Sequence, residues 1–400
     1  MLNAYIYDGL RTAFGRHAGA LSTIRPDDLA AHVIQALVAK HSLDKVHIDD
    51  VILGNTNQAG EDARNIARNA SLRAGLDVSI PGQTVNRLCA SGLAAVVDAA
   101  RAITCGEGDI ILAGGVESMS RAPFVVAKTD KPFSRNLTVF DSTIGARFPN
   151  PVLEAKYGDD TMPQTGDNVA ALYGITREDA DKFASASQAK YETARQRGFF
   201  SGEITPIEVV QDKKSLPKVV DQDEHPRPSS DMDALSKLNP LFENGVVTAG
   251  NASGINDGAA LLIIGSKEAE NILGTKPIAK IISSAAMGIE PNIMGAGPIK
   301  AIQLALQRAS LTLDDMSIIE INEAFASQVL ACLKGLNIAF DDPRINPNGG
   351  AIAIGHPLGA SGARLALSTA RALQENGSKY AVVSLCIGMG QGLAVVIERT

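Results

Sequence analysis

Residues 85–106 read VNRLCASGLAAVVDAARAITCG, and residues 356–377 read HPLGASGARLALSTARALQENG. One offset carries Ala90-Ser91-Gly92 onto Ala360-Ser361-Gly362 and Ala100-Arg101-Ala102 onto Ala370-Arg371-Ala372, with no gap between. Each stretch reads as an Ala-rich helix opened by a short turn. Each leads into an apolar strand, IILAGG in the first and AVVSLC in the second. Two such units in one chain predict a duplicated α/β architecture built of two similar halves. A pseudo-twofold packing of halves brings matching loops together. Here those loops carry Cys89 before the first helix, His356 before the second, and Cys386 at the end of the second strand.

The flanking sequence supports this reading. AYIYDG and DDVILGN read as strands around the amphipathic helix DDLAAHVIQALVAKH, and the last third alternates again through PIAKIISSA, IKAIQLALQRASL and MSIIEINEAF. Residues 1–119 are expected to form the first part of the first half, and residues 252–400 the second half. Between them, residues 120–251 change character. The pieces KTDKPFSRN, RFPNPV, DKKSLPK and DEHPRPSSD are rich in proline and charge. The helix TREDADKFASASQAKYETARQRG sits among them, with Thr176 and Asp179 spaced as a capping box. This stretch is expected to be a loop domain inserted over the end of a sheet, where binding loops commonly lie, before the chain returns to the first half.

Bulk composition narrows the class. Hydrophobic residues make up 45% of the 400, charged residues 20% and aromatic residues 4%, without tryptophan. That fits a globular α/β enzyme with a core of Ala, Val, Ile and Leu. A net charge of −7 disfavours a nucleic-acid partner. The four cysteines show no zinc spacing, so no metal site is expected. The N-terminus does not read as a leader, no stretch reads as a membrane span, and the ending VVIERT is not a peroxisomal address. A cytoplasmic protein with reduced thiols is expected, with no membrane partner.

Three residues carry the strongest chemical framing. Cys89 precedes a helix start, where unpaired N–H groups are expected to lower its pKa. His356 stands in NPNGGAIAIGHPLGASG, where Pro357 pushes it out of helical geometry and Gly355 and Gly359 allow close approach. Cys386 is followed by IGMGQG, whose backbone N–H groups can converge on an oxyanion. Asn322-Glu323 follows the strand SIIEI and suits positioning. Cys105 and Cys332 fall within helical patterns and are expected in the core. His225 and Arg227 share the proline-rich insertion, where they could meet a ligand.

The blocks VNRLCASG, GGVESMS, NEAFA, NPNGGAIAIGHPLGASGAR and CIGMGQG resemble, in order and over nearly the whole chain, the signature blocks of thiolases. The resemblance implies the thiolase fold: two βαβαβαββ halves layered α-β-α-β-α, with an inserted loop domain. It implies Cys89 as the nucleophile that carries the acyl group, and His356 as its activator and part of an oxyanion hole. It implies Cys386 as the acid/base, Asn322 as holder of an oxyanion-hole water, and the N–H groups of Cys89 and Gly388 as a second hole. Arg227 and Ser253 match coenzyme A contacts. Met162, Ala324 and Phe325 match the acyl pocket. Coenzyme A is implied as co-substrate, with no bound cofactor and no metal, and a dimer or tetramer as the assembly.

Thr161 stands where thiolases selective for acetoacetyl-CoA carry histidine. The run 141–151, DSTIGARFPNP, is similar to a stretch of the subfamily that cleaves 3-oxoadipyl-CoA in bacterial aromatic catabolism, although Ala146 replaces its usual tryptophan. Arg147 is the expected partner for the far carboxylate of that substrate. Alternatives are a general 3-ketoacyl-CoA thiolase or acetyltransferase, a 3-oxoacyl-(carrier protein) synthase, and a non-catalytic CoA or lipid carrier. The CIGMG ending argues against the synthase, and the filled catalytic positions argue against the carrier.

Overall fold

The structure, a computed structural model, describes residues 1–210 and 216–400. Part of the expected charged piece at 212–218 lies outside the described residues.

The first half runs β1 (Ala4–Arg11), the short β2 (Gly15–Arg16), α1 (Pro26–His41), β3 (Asp50–Gly54), α2 (Ile66–Ala74), β4 (Gln83–Val85), α3 (Ser91–Cys105) and β5 (Ile110–Ser118). The insertion holds β6 (Phe124–Val126), β7 (Val139–Asp141), α4 (Pro151–Tyr157), α5 (Met162–Tyr173), α6 (Arg177–Gln196), β8 (Ile207–Val209), β9 (Lys218–Val220) and α7 (Met232–Ser236). Then come β10 (Asn256–Gly265), α8 (Ala269–Leu273), β11 (Ala279–Gly288), α9 (Gly297–Ala309), β12 (Ile318–Ile321), α10 (Ala326–Gly335), α11 (Ala351–Ile354), α12 (Leu358–Asn376), β13 (Tyr380–Ile387) and β14 (Gln391–Arg399).

Among the described residues ten strands join in one sheet, ordered β12-β13-β14-β11-β1-β10-β5-β3-β4 with β2 beside β10. The two ends of that order mirror each other. β3 is parallel to β5, as β12 is to β13. β10 is antiparallel to β5 and β1, as β14 is to β13 and β11. The halves meet where Ala4 pairs with Ile281 and Ile6 with Ala279, a register that looks the same from either strand. β10 lies between β1 and β5, so the first half closes after residue 265 rather than at the expected boundary of 251.

Alternate strand residues serve two cores, as the period of a strand requires. Ile111 and Ala113 of β5, with Val395 and Ile397 of β14, face a central layer made by α3 and α12. Ile110 and Leu112 face α1 and α2, and Ala394 and Val396 face α9 and α10. The result is the α-β-α-β-α layering. In the second half the counterpart of β4 shrinks to a single bridge between Ile319 and Ile345. Pro343 and Pro347 cannot extend a ladder there. The Asn346 amide replaces it by bonding Ile321 N and Ile321 O, each at 2.9 Å.

The two repeat helices cross at equivalent glycines. A side-chain carbon on Gly92 would meet Gly359 O and lie 3.1 Å from Ala363 N, and one on Gly362 would meet Leu93 N and lie 2.7 Å from Leu93 Cβ. The segment Leu88–Cys105 is long and apolar enough by composition to cross a membrane, against the expectation that none is. It is α3 with its leading turn, and its apolar character serves the central layer between the two halves. Cys105 ends that helix exposed, against expectation, whereas Cys332 is buried in α10.

Buried ion pairs tie the insertion to the sheet. Arg11 of β1 donates through Nε to Glu203 Oε1 (2.6 Å) and through Nη1 and Nη2 to Asp223 (2.6 and 2.9 Å). The capping box predicted at Thr176 and Asp179 opens α6.

Candidate active site

The turn from β4 into α3 sets up Cys89. Leu88 takes φ +46°, a left-handed value that costs strain in a branched residue. Ser91 locks the turn: its Oγ accepts from Arg87 N (2.8 Å) and donates to Leu88 O (2.6 Å). The half-buried Cys89 thiol faces the N–H groups of Gly388 and of Cys89 itself, which act to lower its pKa. Burial still pushes the thiol above its ordinary value, and the charge of Glu117 adds to the rise. The helix start alone predicts the opposite direction. In the folded protein, loss of water outweighs the lowering by N–H groups.

His356 reaches the same region from the other half. Gly355 before it takes φ +105°, and His356 N donates to Asn256 Oδ1 (2.9 Å). The Ser361 hydroxyl donates to Pro357 O (2.9 Å), so its lone pair accepts from His356 Nδ1–H (2.6 Å). Nε2 then carries the free lone pair and accepts from Asn322 Nδ2 at 3.3 Å. Burial, with Arg364 nearby, holds the imidazole down to about 3, so it is neutral at neutral pH.

Asn322 is fixed by its N–H to Ser384 O (2.9 Å), and its Oδ1 has no partner among the described residues. A buried acceptor without a partner is ready for a water or substrate donor. Cys386 is buried at the end of β13, and its pKa is raised by burial and then by the charge of Cys89, so the two thiols lie within electrostatic reach of each other. Val247, Met294, Ala324 and Phe325 pack around Cys386. A side-chain carbon on Gly388 would lie 3.4 Å from Leu88 Cδ1 and 3.6 Å from Met162 Sδ, which places Met162 at the pocket wall.

Ser253 N donates to Ala324 O (2.9 Å), and Ala252 bridges Phe325. The His225 ring packs on Gly254, and Arg227 N donates to Gln188 Oε1 (2.9 Å). Arg147 stands apart from this group, with Nη2 on Asn57 O (2.7 Å). Three site-supporting residues escaped the sequence reading. Ser361 and Arg364 lay inside a quoted helix, and Glu117 lay inside the quoted block GGVESMS. A buried carboxylate in an apolar strand was the available signal for Glu117.

This constellation, two thiols and a neutral imidazole gathered from two repeated halves, is that of an acyltransferase working through cysteine. Residues 4–268 match the thiolase N-terminal domain and residues 275–399 the thiolase C-terminal domain. The chain belongs to the thiolase family. It is similar to the beta-ketoadipyl-CoA thiolase of Acinetobacter baylyi, with 54% identity over 401 residues and 100% of each chain covered. It is 51% identical to the 3-oxoadipyl-CoA/3-oxo-5,6-dehydrosuberyl-CoA thiolase of Escherichia coli, again over 100% of both. Human mitochondrial 3-ketoacyl-CoA thiolase, solved in complex with CoA, superposes with a TM-score of 0.91 at 39% identity, covering 100% of this chain and 98% of that one.

Proposed function

We propose that the protein cleaves 3-oxoadipyl-CoA with CoA to succinyl-CoA and acetyl-CoA, in two acyl transfers through a thioester on Cys89. The observation that carries the chemistry is the approach of the strand end that bears Cys386 to the turn that bears Cys89, where a side-chain carbon on Gly388 would lie 3.4 Å from Leu88 Cδ1 and the charge of Cys89 acts on Cys386. The full-length similarity to beta-ketoadipyl-CoA thiolases supports the substrate.

His356 Nε2 takes the Cys89 proton, and the thiolate attacks the 3-oxo carbon. The C2–C3 bond then breaks. Its electron pair leaves as the acetyl-CoA enolate, which Cys386 protonates at carbon. The now-deprotonated Cys386 takes the thiol proton of an incoming CoA. That CoA attacks the thioester carbonyl, and Cys89 leaves as a thiolate that regains its proton from His356. Asn322, through a water, and the N–H groups of Cys89 and Gly388 stabilise the oxygens on which charge develops. Arg227 and Ser253 hold CoA, and Met162, Ala324 and Phe325 line the acyl pocket.

Arg147 is assigned to the far carboxylate of the acyl chain, because no carboxylate among the described residues pairs with it. Thr161 opens α5 in a capping box, its backbone N–H donating to Gln164 Oε1 (2.8 Å), and it replaces the histidine of acetoacetyl-CoA enzymes. Phe124, Phe133, Ile144 and Phe148 are exposed around the β6–β7 hairpin, which supports a homo-oligomer, a tetramer in this reading. The assigned location is the cytoplasm.

Turnover of 3-oxoadipyl-CoA, acetoacetyl-CoA and 3-oxohexanoyl-CoA, each with CoA, tests the reading. The expected kcat/KM is highest for 3-oxoadipyl-CoA. An equal or higher value for either uncharged chain would exclude the assigned substrate.

A further inference from the structure

Glu117 is a carboxylate surrounded by donors, with no cation paired to it among the described residues. It is 1% exposed, near the end of β5. Oε2 accepts from Thr56 N (3.0 Å), Thr56 Oγ1 (2.8 Å) and Gly359 N (2.9 Å), the three short contacts that together join the halves, while Oε1 accepts from Asn57 N (3.1 Å), with the Asn55 amide Nδ2 a longer donor to it at 3.4 Å outside these four. Thr56 and Asn57 belong to the first half. Gly359 lies in the first turn of α12, just beyond His356 and Pro357, and belongs to the second.

The two halves interlock here. A side-chain carbon on Gly359 would lie 2.7 Å from Gly54 O and 3.0 Å from Glu117 Oε2, and one on Gly115 would overlap Gly359 O. The turn after His356 is therefore wedged between the ends of β3 and β5. The same loop reaches outward as well: Asn57 Nδ2 donates to Ser142 O (2.8 Å), and Asn57 O receives Arg147.

We propose that Glu117 is a positioning residue for acyl transfer, a carboxylate clasp that fixes the His356 turn of one half to the Thr56–Asn57 loop of the other, and that opens when it takes up a proton. The proposal rests on the thiolase reading of Cys89 and His356. Three of its contacts are backbone N–H groups, which cannot accept a hydrogen. A proton on Oε2, the oxygen that holds both Thr56 and Gly359, opposes the two backbone N–H groups there, and of these four contacts only the Thr56 hydroxyl can turn to accept it.

Burial pushes Glu117 up to about 7, against the lowering by Thr56 and Asn57, and Asp62 of the same loop adds to the rise. The other titratable groups around it are few. Cys89 lies on the turn before α3, and its thiol responds to the Glu117 charge. Asp257 of β10 is turned to Ser120 N (2.9 Å) and Ser120 Oγ (2.6 Å). From α12 comes the positive end of the helix dipole, and His356 is already neutral. Protonation relieves the cost of burial, so this group favours the fold below the ordinary carboxylate range and loses that contribution as pH rises through about 7. Ionised Glu117 is kept for position, not for stability.

The test is kcat against pH across the neutral range with 3-oxoadipyl-CoA and CoA, for wild type, Thr56→Val and Glu117→Gln. Wild-type kcat is expected to fall on the acid side with a midpoint near 7. Thr56→Val removes the hydroxyl donor and should move that midpoint up by about half to one pH unit, with KM little changed. Glu117→Gln should show no such limb, at a kcat lowered on the order of tenfold to a hundredfold. A limb unmoved in Thr56→Val, or retained in Glu117→Gln, overturns the clasp while leaving the thiolase reading intact. Absence of turnover in wild type overturns both.

Discussion

At the His356 imidazole, three contacts divide the two ring nitrogens between holding and reacting. Ser361 takes Nδ1–H, Asn322 marks Nε2, and Asn256 anchors the backbone. The sequence framing pointed to His356 through its glycines and Pro357. It could not point to Ser361, because that role depends on where a hydroxyl hydrogen goes. Cys89 was equally legible as a thiol at a helix start, but the direction of its pKa was not, since burial is a tertiary property. Arg147 gives a prediction at this scale. Arg147→Ala should reduce kcat/KM on 3-oxoadipyl-CoA by about tenfold or more, the worth of a charge-assisted pair, and change it little on 3-oxohexanoyl-CoA. Equal losses on both substrates would remove Arg147 from carboxylate recognition.

The helices α3 and α12 show how much of the element scale a repeat can reveal. The matched Ala-Ser-Gly triplets predicted equivalent units, and the structure places their glycines at one crossing. Gly362→Ala would push a methyl group into the Leu93 backbone, which cannot yield as a flexible side chain does. Overpacking of this kind costs about 1–3 kcal/mol. The urea midpoint of Gly362→Ala should fall accordingly, and an unchanged midpoint would contradict the close crossing. The alternating strands and helices were legible from periodicity, as was the α6 cap. The reduced second-half counterpart of β4 was not, because the Asn346 side chain substitutes for a strand by contacts remote in sequence. The late closure of the first half was missed for a similar reason. β10 follows the insertion in sequence but pairs with β1 and β5 laid down long before it.

Over the whole molecule, duplication explains why the residues proposed for the site come from distant parts of the chain. The first half supplies Cys89 and Glu117, and the second supplies Asn322, His356, Cys386 and Gly388. Their convergence depends on the self-matching contact of β1 with β11 and on the glycine-lined crossing of α3 and α12. The insertion is joined to this frame by the buried Arg11 pairs, and it brings Met162 beside Gly388. The central claim is that the acyl group is carried on Cys89. Intact-protein mass spectrometry after incubation with acetyl-CoA, followed by peptide mapping, tests it most directly. Wild type and Cys386→Ser should gain one acetyl group on the peptide containing Cys89, and Cys89→Ser should gain none. Acetylation that persists in Cys89→Ser, or that maps to Cys386 in wild type, would contradict the account.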